Sequence, residues 1–179
     1  MGSGIAQVCA QAGYEVILND MKDEFFERGL NTITKNLTRD VEKGRKTEEE
    51  KSAILARITK SVAIEDAKSA DIIIEAAVEN MDIKQSIFKQ LDEIAPKHAI
   101  LATNTSSLPI TEIAAVTKRP EQVIGMHFMN PVPVMKLVEI IRGLATTDAV
   151  YETVADMTKQ LGKTGVEVND FPGFISNRI

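Results

Sequence analysis

Short β-branched runs alternate with longer helical segments along almost the whole chain, and this alternation constrains the fold more than any other feature of the sequence. Strands are expected at Glu15–Asn19, Ile58–Ser61, Asp71–Ala76, Ala99–Thr103, Val123–His127, Leu137–Ile141 and Gly165–Val168. Helices are expected over Ile5–Ala12, Lys22–Lys43, 47–57, Met81–Ile94, Ile110–Val116 and Asp148–Leu161. Strand–helix–strand repetition builds a mostly parallel sheet with helices on both faces. Such a sheet needs aliphatic strands, and aromatics make up only 4% of the 179 residues, with no Trp.

Local signals sharpen this α/β, doubly wound reading. Gly13 stops the first helix, and Thr47-Glu48-Glu49-Glu50 is a capping box. Ser107 or a neighbour is expected to cap the helix that begins near Ile110. The two most polar helices, 22–43 and 47–57, are expected to stand off the sheet as an antiparallel pair. Asn130-Pro131-Val132-Pro133 breaks the pattern, and a reversal at Val132-Pro133-Val134 should make the last strands antiparallel. A doubly wound sheet starts with a central strand, whereas this chain starts on a helix, so the first strand reads as missing and Met1 as an internal residue. On this reading residues 1–170 form one domain and 171–179 begin a linker into a further, absent domain; this stretch alone is expected to be unstable and inactive.

Composition excludes several functions. A net charge of −5 argues against nucleic acid as a partner. No run of about 18 apolar residues is present to span a membrane, and no basic cluster precedes an apolar stretch at the start. The single cysteine, Cys9, has no internal partner, which suits a cytoplasmic setting, and no metal-ligand set is read.

The opening glycines gain meaning from their setting. Gly2 and Gly4 precede a helix that ends at a glycine, then a strand that ends in Asp20. In a Rossmann-type dinucleotide fold, helix N-terminal amides bind the pyrophosphate and an acid after the second strand binds the ribose hydroxyls. Asp20 in that place favours NAD over its phosphorylated form; otherwise it is a solvated turn residue. Glu79, Asn80 and Asn104 follow strands at the sheet edge where ligands bind, and Asn104 is equally a loop residue satisfying its own backbone.

Two histidines are present. His98 lies in a polar turn and reads as a surface residue. His127 ends an apolar strand just before the Pro-rich turn. If the chain reverses about Pro133, residues equidistant from it face one another, which sets His127 opposite Glu139. That pair is either a base with the carboxylate that orients it, or a buried ion pair with no chemistry. Lys35, Arg39 and Lys43 share one helix face and form either a phosphate-binding stripe or a solvated face with Asp40 and Glu42 as partners.

The segment His127-Phe128-Met129-Asn130-Pro131-Val132-Pro133 with Leu137-Val138-Glu139, the loop Asn104-Thr105-Ser106-Ser107, and Gly173-Phe174-Ile175-Ser176-Asn177-Arg178 together resemble the (S)-3-hydroxyacyl-CoA dehydrogenases, most closely their bacterial 3-hydroxybutyryl-CoA branch. The resemblance covers essentially the whole chain and implies NAD-dependent interconversion of a 3-hydroxyacyl-CoA and a 3-oxoacyl-CoA in fatty acid or butanoate metabolism. It implies His127 as general base, Glu139 as its partner, and Ser106 and Asn177 on the substrate oxygen or the base. Gly2, Asp20, Glu79, Lys84 and Asn104 would touch NAD, and Lys43 and Ser106 the acyl-CoA. It also implies a homo-oligomer assembled through a helical C-terminal domain. Two alternatives stand beside it: the same module inside a multifunctional fatty-acid oxidation protein, and a non-catalytic crystallin-like relative.

Overall fold

The computed structural model describes residues 1–171. The helix expected to begin near Phe171, together with Asn177, therefore lies outside the described residues. The chain divides into two compact units: Met1–Asp66 with Asn130–Val134, and Ala67–Met129 with Met135–Ile179. No helix among the described residues is long and apolar enough to cross a membrane.

The first unit runs α1 (Gly2–Gln11), β1 (Val16–Asn19), α2 (Asp23–Glu42), α3 (Glu48–Ala56) and β2 (Ile58–Ser61). β1 and β2 pair in parallel, Val16 opposite Ile58 and Asn19 opposite Ser61. Among the described strands, β1 has no neighbour other than β2. The Thr47 hydroxyl and Glu50 carboxylate cap α3 reciprocally, as the sequence pattern requires. The helical pair does not stand free. Ile33 and Leu37 of α2 and Ile54 of α3 pack with Ala6 and Ala10 of α1, and Val16 and Ile58 border the cluster. Burying side chains of this size contributes about 1.5–3 kcal/mol each, enough to hold an otherwise polar helix down. Segment 130–134 joins this unit through Gly4, where a Cβ would lie 2.9 Å from that of Val132.

The second unit holds β3 (Ile72–Glu75), α4 (Met81–Ile94), β4 (Ile100–Thr103), α5 (Ile110–Ala114), β5 (Val123–Phe128), β6 (Leu137–Arg142), α6 (Asp148–Gln160) and β7 (Thr164–Asn169). Its sheet has the order β3-β4-β5-β6-β7, with β3, β4 and β5 parallel. Every residue of β4 and β5 is buried, as strands covered on both faces must be. The antiparallel expectation holds only for β5 with β6; β7 runs parallel to β6. The reason is α6, a crossover helix that carries the chain back to the starting end. α5 lies against Gly125 of β5, where a Cβ would meet Ile110 Cδ1 and Ile141 Cβ, both at 2.9 Å.

Two long-range contacts finish this unit. The cap expected from Ser107 is not used: Asp170 instead accepts from the amides of Ile110 and Thr111 at 2.8 and 2.9 Å. Arg119, 8% exposed, closes the C-terminal end of α4. Its guanidinium donates to Asp92 Oδ1 at 2.8 Å and to the carbonyls of Asp92, Ala95, Pro96 and Ala99. Helix C-termini leave such carbonyls without partners, and a planar fork reaches several together.

Replacing Arg119 by Met should therefore cost about 3–5 kcal/mol, the usual loss on breaking a buried ion pair from one side. Lys at this position should recover little, for want of the fork. Denaturant midpoints will measure both, and a loss under about 1 kcal/mol would place the network with ordinary surface pairs. Burial pushes the Cys9 thiol up to about 12. The native protein should consequently resist thiol labelling at pH 8 and label rapidly once unfolded in urea; fast native labelling would contradict this burial.

Candidate active site

The chemistry-bearing side chains of the second unit gather where β3, β4 and β5 end. β3 ends in Glu75, opposite Thr103 at the end of β4. The turn after β3 leads through Glu79 to Asn80, whose side chain caps α4 by accepting from the Ile83 amide at 3.0 Å. Glu79 faces the loop after β4. One of its oxygens accepts from the Thr105 hydroxyl, and the other from the Ser106 amide at 2.8 Å and the Ser106 hydroxyl at 2.6 Å. Partial burial pushes the Glu79 carboxyl up, but the hydrogen bonds from Ser106 and Thr105, with nearby Lys84, outweigh it and hold the pKa below the ordinary 4.5.

Asn104 satisfies a neighbouring strand rather than its own loop. Its Oδ1 accepts from the Phe128 amide at 2.8 Å, and its own amide donates to the Glu75 carbonyl at 2.8 Å. Phe128 is the next residue after His127. In the β5–β6 ladder His127 stands opposite Glu139, and His127 Nδ1 lies 2.8 Å from Glu139 Oε1. His127 is 7% exposed and Glu139 1%. An ionised carboxylate can only accept, so opposite one Nδ1 carries the proton of this bond.

Lys84, for which the resemblance implies a cofactor contact, has an enclosed side chain. Its side chain is 1% exposed, and its ammonium donates to Glu75 Oε2 at 2.7 Å and to the Ala77 carbonyl at 3.1 Å. Glu75, Thr103 and Thr105 are not among the site residues that the sequence points to. A signal existed: an acid closes the apolar run Ile72-Ile73-Ile74, and Lys84 heads the buried stripe Lys84, Phe88, Leu91 of α4. His98 pairs with Asp71 at 2.8 Å on the surface, as expected.

The remaining candidates lie in the first unit. Gly2 begins α1, whose N-terminus has no side-chain cap, and a Cβ on Gly2 would meet nothing within 4 Å. Asp20 comes directly after β1; its amide donates to the Ser61 carbonyl and its Oδ1 accepts from the Met21 amide at 2.7 Å. Helix amides without a side-chain cap, an open glycine and a carboxylate after the strand are a donor and acceptor set that suits a pyrophosphate and a ribose. Lys43 sits exposed just past the end of α2. The stripe it shares with Lys35 and Arg39 does not rely on Asp40, which pairs instead with Lys46 at 3.0 Å and Arg45 at 3.7 Å.

Comparison with known proteins decides the family. The profile described as 3-hydroxyacyl-CoA dehydrogenase, NAD binding domain, matches residues 1–171. The chain belongs to this family.

Among curated 3-hydroxyacyl-CoA dehydrogenase relatives, a probable 3-hydroxybutyryl-CoA dehydrogenase of Bacillus subtilis (strain 168) is 59% identical over all 179 residues, which span 62% of it. A 3-hydroxybutyryl-CoA dehydrogenase of Clostridioides difficile is 49% identical, again over the whole chain and 64% of the relative. The crystal structure of the (S)-3-hydroxybutyryl-CoA dehydrogenase PaaH1 from Ralstonia eutropha superimposes with a TM-score of 0.97 at 49% identity, covering 100% of this chain and 63% of that one. The fold is thus the Rossmann-like α/β fold of the 3-hydroxyacyl-CoA dehydrogenases, and the cofactor of the family domain is NAD. The chain spans a little over three fifths of the length of these relatives.

The lowered pKa of Glu79 gives this domain an acid-sensitive contact. A depressed folded-state pKa contributes stability above the unfolded value and loses it as pH falls through the folded one. The stability gap between the protein and Glu79→Gln should be constant near neutrality and shrink only below about pH 4.5. Denaturant midpoints between pH 3 and 7 will track it; a gap that widens on acidification would contradict the hydrogen-bond assignment.

Proposed function

We propose that the complete protein interconverts (S)-3-hydroxyacyl-CoA and 3-oxoacyl-CoA with NAD, and that 3-hydroxybutyryl-CoA and acetoacetyl-CoA are its substrate pair. The activities for which the Bacillus, Clostridioides and Ralstonia relatives are named support the substrate. The observation that carries the chemistry is the buried 2.8 Å bond between His127 Nδ1 and Glu139.

With Nδ1 protonated toward Glu139, Nε2 is the basic nitrogen of His127. In oxidation it takes the proton of the substrate hydroxyl, and the resulting imidazolium is stabilised by the buried Glu139 carboxylate. In reduction the same imidazolium returns the proton to the ketone oxygen. The residues that the resemblance gives to NAD are Gly2 and Asp20 of the first unit and Glu79 and Asn104 of the second; the cofactor would supply the acceptor for the hydride leaving the carbinol carbon. Ser106 and Asn177 serve the substrate oxygen or the base, and Lys43 meets coenzyme A. Neither His127 nor Glu139 needs to move far, because both project from adjacent strands of one sheet.

His127→Gln should lower turnover of 3-hydroxybutyryl-CoA with NAD by about a hundred- to ten-thousandfold, the usual worth of a general acid–base group. Glu139→Gln should lose less, and the double variant should be scarcely slower than His127→Gln, since a partner cannot assist a base that is gone. Turnover across several pH values, with NADH binding as a control for folding, will decide. Strictly multiplicative losses would separate the two side chains, and full activity of His127→Gln would end the proposal.

A further inference from the structure

Glu75 is an acid where a parallel strand ordinarily carries an apolar side chain. It is 6% exposed, and both its oxygens are occupied. Oε1 accepts from the Thr103 hydroxyl at 2.7 Å; Oε2 accepts from the Ala77 amide at 2.6 Å and from Lys84 Nζ at 2.7 Å. Lys84 also donates to the Ala77 carbonyl at 3.1 Å, with Glu79 Oε1 3.9 Å away. Thr103 in turn accepts from the Thr105 amide at 3.3 Å. Each partner belongs to a segment that presents a proposed site residue: Ala77 to the turn carrying Glu79, and Thr103 to the loop carrying Asn104 and Ser106.

Stability alone does not account for this arrangement. Two apolar side chains of similar volume often replace a buried ion pair without loss. What they cannot do is accept from an amide and a hydroxyl while donating to a carbonyl. We propose that Glu75 and Lys84 form one positioning unit that fixes the 76–80 turn and the 103–107 loop, and so sets where Glu79 and Ser106 stand. Lys84 acts on the loop and turn through this unit. The proposal rests on the dehydrogenase reading above for its kinetic consequence.

Three variants separate the possibilities in the complete protein. Glu75→Gln keeps the volume but leaves the Lys84 ammonium facing a neutral group. Glu75→Leu with Lys84→Met removes both charges. Glu75→Asp keeps the charge and shortens the reach, which makes it the mild variant. The Leu/Met pair should regain part of the melting temperature that Glu75→Gln loses, yet stay down about a hundredfold in turnover, the scale of a site displaced by about 1 Å. Hydrogen exchange at the Ala77, Thr105 and Ser106 amides should quicken in it, and to a smaller degree in Glu75→Asp. Lys84→Met should affect the KM for NAD no more than Glu75→Gln does. Recovery of melting temperature, turnover and amide protection together in the Leu/Met pair would reduce the ion pair to a stabilising contact. A raised KM for NAD in Lys84→Met alone, with Glu75→Gln unchanged, would make Lys84 a cofactor contact. The exchange measurement needs no turnover, so an inactive unaltered protein would defeat the dehydrogenase reading while exchange still decided the positioning role.

Discussion

The register between β5 and β6 carries the proposed chemistry. His127 faces Glu139 because the two strands pair about Pro133, from Ile124 opposite Arg142 to Phe128 opposite Val138. A slip of one residue would turn the whole of one strand's side chains to the opposite face and separate imidazole from carboxylate. Several features guard against the slip. Four consecutive residues of β6, Val138 to Ile141, are buried, so a shift would disturb core on both faces. Gly125, two residues before His127 and therefore on the same face, accepts Ile110 and Ile141 so closely that a side chain at the neighbouring position could not take its place.

Polar side chains recur after the parallel strands, and their surroundings give each a different part. Asp20, after β1, is partly exposed and satisfies a local amide. Glu75, at the end of β3, is enclosed and met by an ammonium. Asn104, after β4, bridges to the backbone beside His127. Strand ends in an open α/β sheet collect functional groups because the chain there leaves the apolar ladder. Whether such a group faces a ligand or an internal partner depends on the next ten residues of chain, here the turn into α4 that delivers Lys84.

Much of the fold and site is legible in the sequence because it is local or periodic. The bounds of β2 and α4, the capping box at Thr47 and the pairing of His127 with Glu139 come from residues near one another or from counting about a turn. Four features are not legible there. Asp170 caps a helix 60 residues earlier. Arg119 reaches back to Asp92 and the carbonyls after it. Periodic charge on α2 conceals the Ile33 and Leu37 stripe that anchors it. The Pro-rich turn draws more weight than the crossover helix after it, so the sequence points to an antiparallel β7 where the strand is parallel. Lys84 is the converse case: a resemblance can say that a residue matters, but not which way its ammonium points.

The Asp170 cap bears on the order in which the chain can become structured. α5 has five residues, far fewer than the dozen or so an isolated helix needs to persist in water. Its two leading amides receive their acceptor from residue 170. A ribosome delivers the chain from the N-terminal end, so the Asn104–Pro109 loop and the helix after it emerge well before the carboxylate that secures them. β5 and β6 are both complete by then. The imidazole and its carboxylate can thus already be paired while the serine loop beside them awaits its anchor.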